Sequence, residues 1–292
     1  MRTLQLSDSQ LGTAYFCARR YYYERVRRYR LVGGKPDYFQ LGDVIHKMLE
    51  VFYRLQGEAE YSDRIEAAMD AGVQHASVSD EINLPGATIQ FLKDTILQYA
   101  DFWKDDGWEV TGSEEYFSFV LYERPDTPEE EGIRILYEGK IDLRVRNARG
   151  EEFPVDHKSS KSFRSLAHPS LLSGQFIGYA VATDSQLITE NKVGLQTSYP
   201  PKKKFIRIPI RYDIKVIEEW KGWTIVKALE IDQWIQNDYY PPNQRSCRYC
   251  PFTTICFTRP EVREWKLSRD FIQVPRKARN VFERVHEERG HE

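Results

Sequence analysis

Residues 139–158 read Gly-Lys-Ile-Asp-Leu-Arg-Val-Arg-Asn-Ala-Arg-Gly-Glu-Glu-Phe-Pro-Val-Asp-His-Lys. Two strand-like runs, Gly139 to Val145 and Glu152 to Lys158, flank turn chemistry at Asn147 to Gly150. Successive strand side chains point to opposite faces. Ile141, Leu143 and Val145 therefore share an apolar face, while Lys140, Asp142 and Arg144 share an ionic one. In the second run Phe153 and Val155 oppose Asp156 and Lys158. A three-residue turn at Ala148-Arg149-Gly150, with Gly150 left-handed, predicts a register that sets Asp142 opposite Asp156. Two carboxylates then stand side by side.

Like charges facing each other across a ladder are unfavourable, so the pairing needs a compensator. A hard divalent cation held by oxygen ligands is the natural one, and Lys158 adds a second positive charge on the same face. Such a group can lower the pKa of bound water and offset charge on a phosphorane-like transition state. That is the chemistry of phosphodiester hydrolysis. The competing reading is a surface hairpin whose charges point at water.

Working outward, Gln175 and Tyr179 lie four residues apart on an expected helix from Leu171 to Thr183 and so share a face. His46 sits within an expected helix from Phe39 to Leu55, on the polar side of a stripe formed by Leu41, Val44, Ile45, Met48, Leu49 and Phe52. A histidine there is commonly a structural residue; beside the carboxylates it becomes a candidate ligand. An opening helix is expected over Asp8 to Tyr29, led by Ser7 and carrying Cys17, with a break at Gly33, Gly34 and Pro36. Helical stretches from Glu58 to His75 and from Thr88 to Lys104 look like an insertion. Further strands are expected at Phe117 to Tyr122, Arg134 to Tyr137, Val193 to Tyr199 and Phe205 to Ile210. An antiparallel meander is the simplest arrangement of the hairpin region, and a helix returns from Asp213 to Gln236. The class is α/β.

All four cysteines fall into one spacing: Cys17, then Cys247, Cys250 and Cys256. Three thiols within ten residues plus one distant fourth suit a cluster with four thiolate ligands that clasps two chain ends. Zinc also takes four cysteines, although structural zinc sites usually offer two close pairs. Small core residues are a further reading. A disulfide framework is not expected: no secretory apolar segment follows Met1, and a chain of 292 residues needs no staples. A reducing cytoplasm is the expected setting. No apolar run approaches the roughly 20 residues of a membrane span.

The formal net charge is −2, so a nucleic-acid surface must be a local patch. From Arg19 to Arg30, six arginines alternate with four tyrosines, a mixture able to hold phosphates and stack bases. Arg25, Arg27 and Arg28 are the candidates there, and Lys161, beyond the hairpin, is another. A solvated helix face with its tyrosines turned inward is the alternative.

Taken together, these residues resemble the RecB-like branch of the PD-(D/E)XK nucleases, in particular the iron–sulfur subgroup that includes the CRISPR-associated exonucleases and the nuclease domain of AddB. The resemblance rests on Ser7, Ser9, Leu11 and Cys17; on Gly42 to His46; on Gly139 to Asp142; on Asp156 to Lys158; on Gln175 to Tyr179; and on the terminal cysteine trio. Ile141 stands where the family's name would put proline. The resemblance implies a restriction-endonuclease-like core, a mixed sheet flanked by helices, with a helical insertion and an iron–sulfur lobe joining the chain's two ends. The corresponding segments are 1–56 (amino-terminal helices), 57–107 (insertion), 108–240 (nuclease core) and 241–292 (cysteine segment and charged tail). It also implies that His46, Asp142, Asp156 and the backbone carbonyl of His157 hold Mg2+ or Mn2+. Lys158 would position or activate water, with Gln175 and Tyr179 contacting DNA or orienting the lysine. Cys17, Cys247, Cys250 and Cys256 would carry a 4Fe–4S cluster. The expected activity is metal-dependent DNA cleavage, exonucleolytic on single strands or duplex ends, in recombination, repair or phage DNA metabolism, with a possible helicase or recombination partner. A catalytically silent DNA-binding subunit and a zinc-stabilised nucleic-acid-binding module are the rivals.

Overall fold

The computed structural model describes residues 1–32, 37–79, 82–128 and 130–274; Gly33, Gly34 and Pro36 and the end of the charged tail lie outside them. The chain begins with β1 (Arg2–Leu6), α1 (Asp8–Phe16), α2 (Ala18–Tyr21), a π-helical turn (Tyr22–Val26) and β2 (Tyr29–Leu31). Three helices follow, α3 (Asp37–Arg54), α4 (Tyr61–Val78) and α5 (Gly86–Phe102), then β3 (Glu109–Arg124), β4 (Ile133–Arg146) and β5 (Glu152–Ser160). Next come α6 (Phe163–Ala167), α7 (Gly174–Thr183), β6 (Leu187–Gly194), α8 (Pro201–Lys204), β7 (Phe205–Arg211) and α9 (Ile214–Gln236). A 3-10 turn (Gln244–Tyr249), α10 (Thr253–Cys256), α11 (Pro260–Asp270) and β8 (Phe271–Gln273) complete the described chain.

The residues divide into two units, one of 1–33, 116–139 and 218–292 and one of 34–115 and 140–217. In the first, β1 runs parallel to the start of β4, with Leu6 opposite Tyr137, and β2 pairs antiparallel with β8. Tyr23, Tyr29, Phe252, Ile255, Leu267 and Phe271 form a small aromatic core there, and Cys250 and Cys256 pack against it.

In the second unit the end of β4 pairs antiparallel with β5, β5 pairs parallel with β6, and β6 pairs antiparallel with β7. The sheet is thus mixed. The expected meander stops at β5, because the chain leaves through α6 and α7 before returning as β6, and a parallel return requires such a crossover. The apolar stripe of α3 packs on the odd-numbered face of the hairpin: Val44, Met48 and Leu49 share one core with Leu143, Val145, Phe153 and Val155. Added carbon at Gly72 of α4 would meet the Met48 side chain at 2.3 Å, so that glycine sets how closely α4 approaches α3.

Two expected elements differ. The opening helix is interrupted at Cys17, whose backbone is extended (φ −171°, ψ 127°), so Cys17 lies in a break and not on a helix. Its end is a π turn that stops before Arg28, a residue with φ of 58°. The strand expected at Val193 to Tyr199 instead spans Leu187–Gly194, because Glu190 and Lys192 are buried as an ion pair and the charges do not end the strand.

Candidate active site

The hairpin positions the carboxylates. Leu143 pairs with Val155 and Val145 with Phe153, and the same register continued by one residue sets Asp142 opposite Asp156. The turn that fixes it occupies Ala148 to Gly150, with Gly150 at φ 79°. Asn147 Oδ1 accepts from the backbone N–H of Arg149 at 2.9 Å and of Glu151 at 3.1 Å, a side-chain turn that asparagine supplies well.

Helix α7, capped by the Ser173 hydroxyl accepting from the Phe176 N–H, lays Gln175 and Tyr179 on the even-numbered face. Lys158 Nζ lies 2.7 Å from Asp156 Oδ2 and donates to Gln175 Oε1 at 2.9 Å. Gln175 Nε2 donates to the Tyr179 hydroxyl at 2.8 Å, and that hydroxyl donates to the Lys140 carbonyl at 2.6 Å. A chain of contacts therefore runs from carboxylate to lysine to amide to phenol and back to the first strand. Asp142 Oδ2 accepts from the His157 N–H at 2.9 Å, and His46 Nδ1 stands 3.7 Å from the same oxygen. The His157 ring points to the other face. It stacks on Tyr53 at 5.6 Å and its Nδ1 meets the Asn191 amide at 2.7 Å.

Exposure grades across these side chains: Asp156 is 1% exposed and Asp142 14%, whereas His46 is 37% and Lys158 40%. Burial pushes the Asp156 carboxyl up to about 6, against the pull of Lys158 and with Asp142 adding repulsion. Burial also raises Asp142, opposed by the His157 N–H and by Lys158. Burial lowers both His46 and His157. For Lys158, burial is outweighed by Asp156, and its pKa rises. The lysine is thus held cationic, while the two acids are held reluctant to ionise together.

Among the described residues, no three His, Cys, Asp or Glu side chains are already gathered as a coordination set. The donor chemistry nonetheless suits a hard divalent ion: two adjacent carboxylates raised by burial lose that penalty when a cation joins them.

The pH dependence follows from the raised Asp156 pKa. In the metal-free folded protein the proton is held more tightly than in the unfolded chain, so this contribution is present below about 4 and lost as pH rises through about 6. The span corresponds to about 3 kcal/mol. The stability difference between wild type and Asp156→Asn, from urea unfolding in chelator, should change by about that amount between pH 4 and pH 7, against wild type at the higher pH. A pH-independent difference would contradict the burial argument.

The sequence reading missed the acid and lysine on the strand beside β5. Asp156 pairs with Glu190, His157 with Asn191 and Lys158 with Lys192, so Asp-x-Lys on one strand lies against Glu-x-Lys on the next. Equal spacing of acid and lysine was the available signal. Two of the three candidate arginines are engaged within their own unit: both terminal nitrogens of Arg27 donate to Glu264, at 2.8 and 3.1 Å, and Arg25 donates to the Ser9 carbonyl at 2.9 Å. Lys161 is exposed, just beyond β5.

The four cysteines all belong to one unit, and none is in a disulfide. Cys17 Sγ accepts from the Asn243 N–H at 3.2 Å, which ties the first cysteine to the segment entering the trio. Burial pushes Cys250 and Cys256 up, and Cys17 adds to both.

A family model described as the PD-(D/E)XK nuclease superfamily matches residues 5–257. The chain belongs to the PD-(D/E)XK nuclease superfamily. No curated protein matches it. Among solved structures, an alkaline exonuclease from Laribacter hongkongensis (LHK-Exo) is 11% identical with a TM-score of 0.32, covering 68% of this chain and 97% of its own. The same exonuclease in complex with dAMP is 14% identical, with a TM-score of 0.34 and coverage of 69% and 93%. A structure titled SSO0001 is 15% identical, with a TM-score of 0.30 and coverage of 74% and 84%. Among the described residues no helix is long and apolar enough to cross a membrane.

Proposed function

We propose that this superfamily member is a metal-dependent deoxyribonuclease of the RecB-like iron–sulfur subgroup, an exonuclease acting on single strands or duplex ends. The observation that carries the reading is the hairpin register, which sets Asp142 against Asp156 with Lys158 ion-paired to the latter. Asp142, Asp156, His46 and the His157 carbonyl would hold Mg2+ or Mn2+. When bound, the ion supplies Lewis acidity and an activated water. Lys158 places a permanent positive charge at the reacting phosphate. Gln175 orients that lysine, and Tyr179 pins Gln175 to the Lys140 carbonyl. Digestion of end-labelled single-stranded, duplex and circular DNA with Mg2+, Mn2+ or EDTA tests the reading. Cleavage that survives EDTA, or no cleavage with either ion, would refute it.

Cys17, Cys247, Cys250 and Cys256 would hold a 4Fe–4S cluster as a clasp within their unit, in a cytoplasmic protein of DNA recombination, repair or phage DNA metabolism that works with a helicase or recombination partner. Four free thiols, with two of them packed on one aromatic core, support this assignment. Protein purified without oxygen should be brown, absorbing broadly near ~400 nm. Cys250→Ala should lose that colour and much of its solubility. A colourless wild type with one zinc per chain would instead assign the site to zinc. Arg25, Arg27, Arg28 and Lys161 are proposed to contact DNA, with Arg27 having to exchange Glu264 for phosphate.

A further inference from the structure

Glu190 and Lys192 are 1% and 3% exposed. A buried ion pair is rarely worth more to stability than apolar side chains of the same volume, so its presence in mid-strand calls for another account. The bonds it makes supply one. Lys192 Nζ lies 3.1 Å from Glu190 Oε1 and donates to the backbone carbonyls of Ser165, at 2.8 Å, and His168, at 2.5 Å. Glu190 accepts from the Ser170 N–H at 3.1 Å and from its hydroxyl at 2.7 Å. Every one of these partners lies in the single connection between β5 and α7.

That connection leaves β5 just after Lys158 and enters α7 just before Gln175, so it joins the two elements that carry the lysine and its orienting amide. It starts at the carboxyl end of β5 and then crosses the face of β6, meeting Lys192 before Glu190. An open cavity of about 490 Å³ is lined there by Ser162, Arg164, Ser165 and His168. Arg164 and His168 are exposed. The cavity wall is therefore built of donors suited to an oxyanion, and its backbone is anchored from below at three points.

We infer that Glu190 and Lys192 are positioning residues that seat the 162–170 segment so that Arg164 and His168 receive a phosphate of the nucleic-acid strand next to the one that reacts. The inference rests on the nuclease reading but adds a subsite to it. Neither residue of the buried pair touches the strand. Their effect passes through the carbonyls of Ser165 and His168 and the amide of Ser170.

Steady-state cleavage of a short single-stranded oligonucleotide, made with either a phosphate or a hydroxyl at its end, tests the inference. Arg164→Ala should raise KM about tenfold with kcat little changed, and should lower the salt slope of binding by about 0.7 for one lost phosphate on a single strand. Lys192→Met should reproduce that KM effect although its side chain lies beneath the cavity. Because both act on one contact, the double variant should lose about tenfold, not about a hundredfold. Equal effects on the two substrates assign an internal phosphate, and an effect confined to the phosphorylated one assigns the terminal phosphate. Independent, multiplicative losses, or an unchanged KM in the exposed and foldable Arg164→Ala, overturn the inference. Anisotropy binding in an Asp156→Ala background separates the two levels. Absence of cleavage by wild type refutes the nuclease reading, whereas an unchanged affinity on adding Arg164→Ala refutes the subsite.

Discussion

Lys158→Ala, folded and loaded with Mg2+ or Mn2+, should cleave DNA at least ~10³-fold more slowly than wild type. The lysine supplies no metal ligand, so isothermal titration should still register the ion. Asp142→Ala and Asp156→Ala should fail in turnover and in ion binding together, because each deletes an oxygen donor. His46→Ala should fall between, with a larger loss in Mg2+ than in Mn2+, since imidazole suits the softer ion. The Lys158 contrast is sharpest because the Gln175 and Asp156 contacts fix that ammonium from two sides. Wild-type rates in Asp156→Ala protein freed of contaminating nuclease would remove the hairpin from the catalytic machinery altogether.

Arg207→Ala should unfold with a loss of about 3–5 kcal/mol, the usual penalty for breaking a buried pair from one side. The guanidinium lies 3.9 and 3.5 Å from the ring centroids of Trp103 and Trp108, and bonds Asp106 at 2.7 Å and the Tyr53 hydroxyl at 2.8 Å. Burial lowers its pKa, but Tyr53, Tyr99 and Asp106 more than offset that and keep it raised. Removing it strands the Asp106 carboxylate, 11% exposed, and frees Tyr53, the ring stacked on His157. Arg207→Met combined with Asp106→Leu should recover at least half the loss, as measured by urea unfolding. If the double variant is no more stable than Arg207→Ala, the stranded charge is not the cause.

The hairpin was legible in the chain because everything that sets it is local: alternation on each strand, asparagine and glycine at the turn, and a register that follows from the turn length. The α3 stripe was legible for the same reason, its apolar spacing matching the residues buried at Leu41, Val44, Ile45, Met48, Leu49 and Phe52. What escaped depended on partners far along the chain. The strand β1 is held by parallel pairing to residues 133–137, which nothing in its own five residues announces. Glu190-Asn191-Lys192 fell before the strand expected at Val193 to Tyr199, because the charges are buried only once Ser165, His168 and Ser170 are brought against them. The arginine–tyrosine segment promised a helix face, yet Arg27 is bound to Glu264, 237 residues away, and the helix breaks at Cys17. The hairpin residues were readable because one turn places them, and Gln175 and Tyr179 because one helix turn sets them on a common face, whereas Glu190 and Lys192 depend on a segment that only the crossover brings near.

The three-residue turn at Ala148 to Gly150 acts as a phase setter. A slip of one residue in the ladder carries a strand's whole set of side chains to the opposite face; Asp156 would then lie on the side of Val155, among the apolar groups that pack on α3, and Asp142 would face no acid. Ala148 and Arg149 are exposed, so their identities are free to drift. Their number is not. The proposed chemistry would tolerate changes of spelling in the loop but not of length, and descendants that gain or lose one residue there would have either to bulge it out or to give up the facing carboxylates.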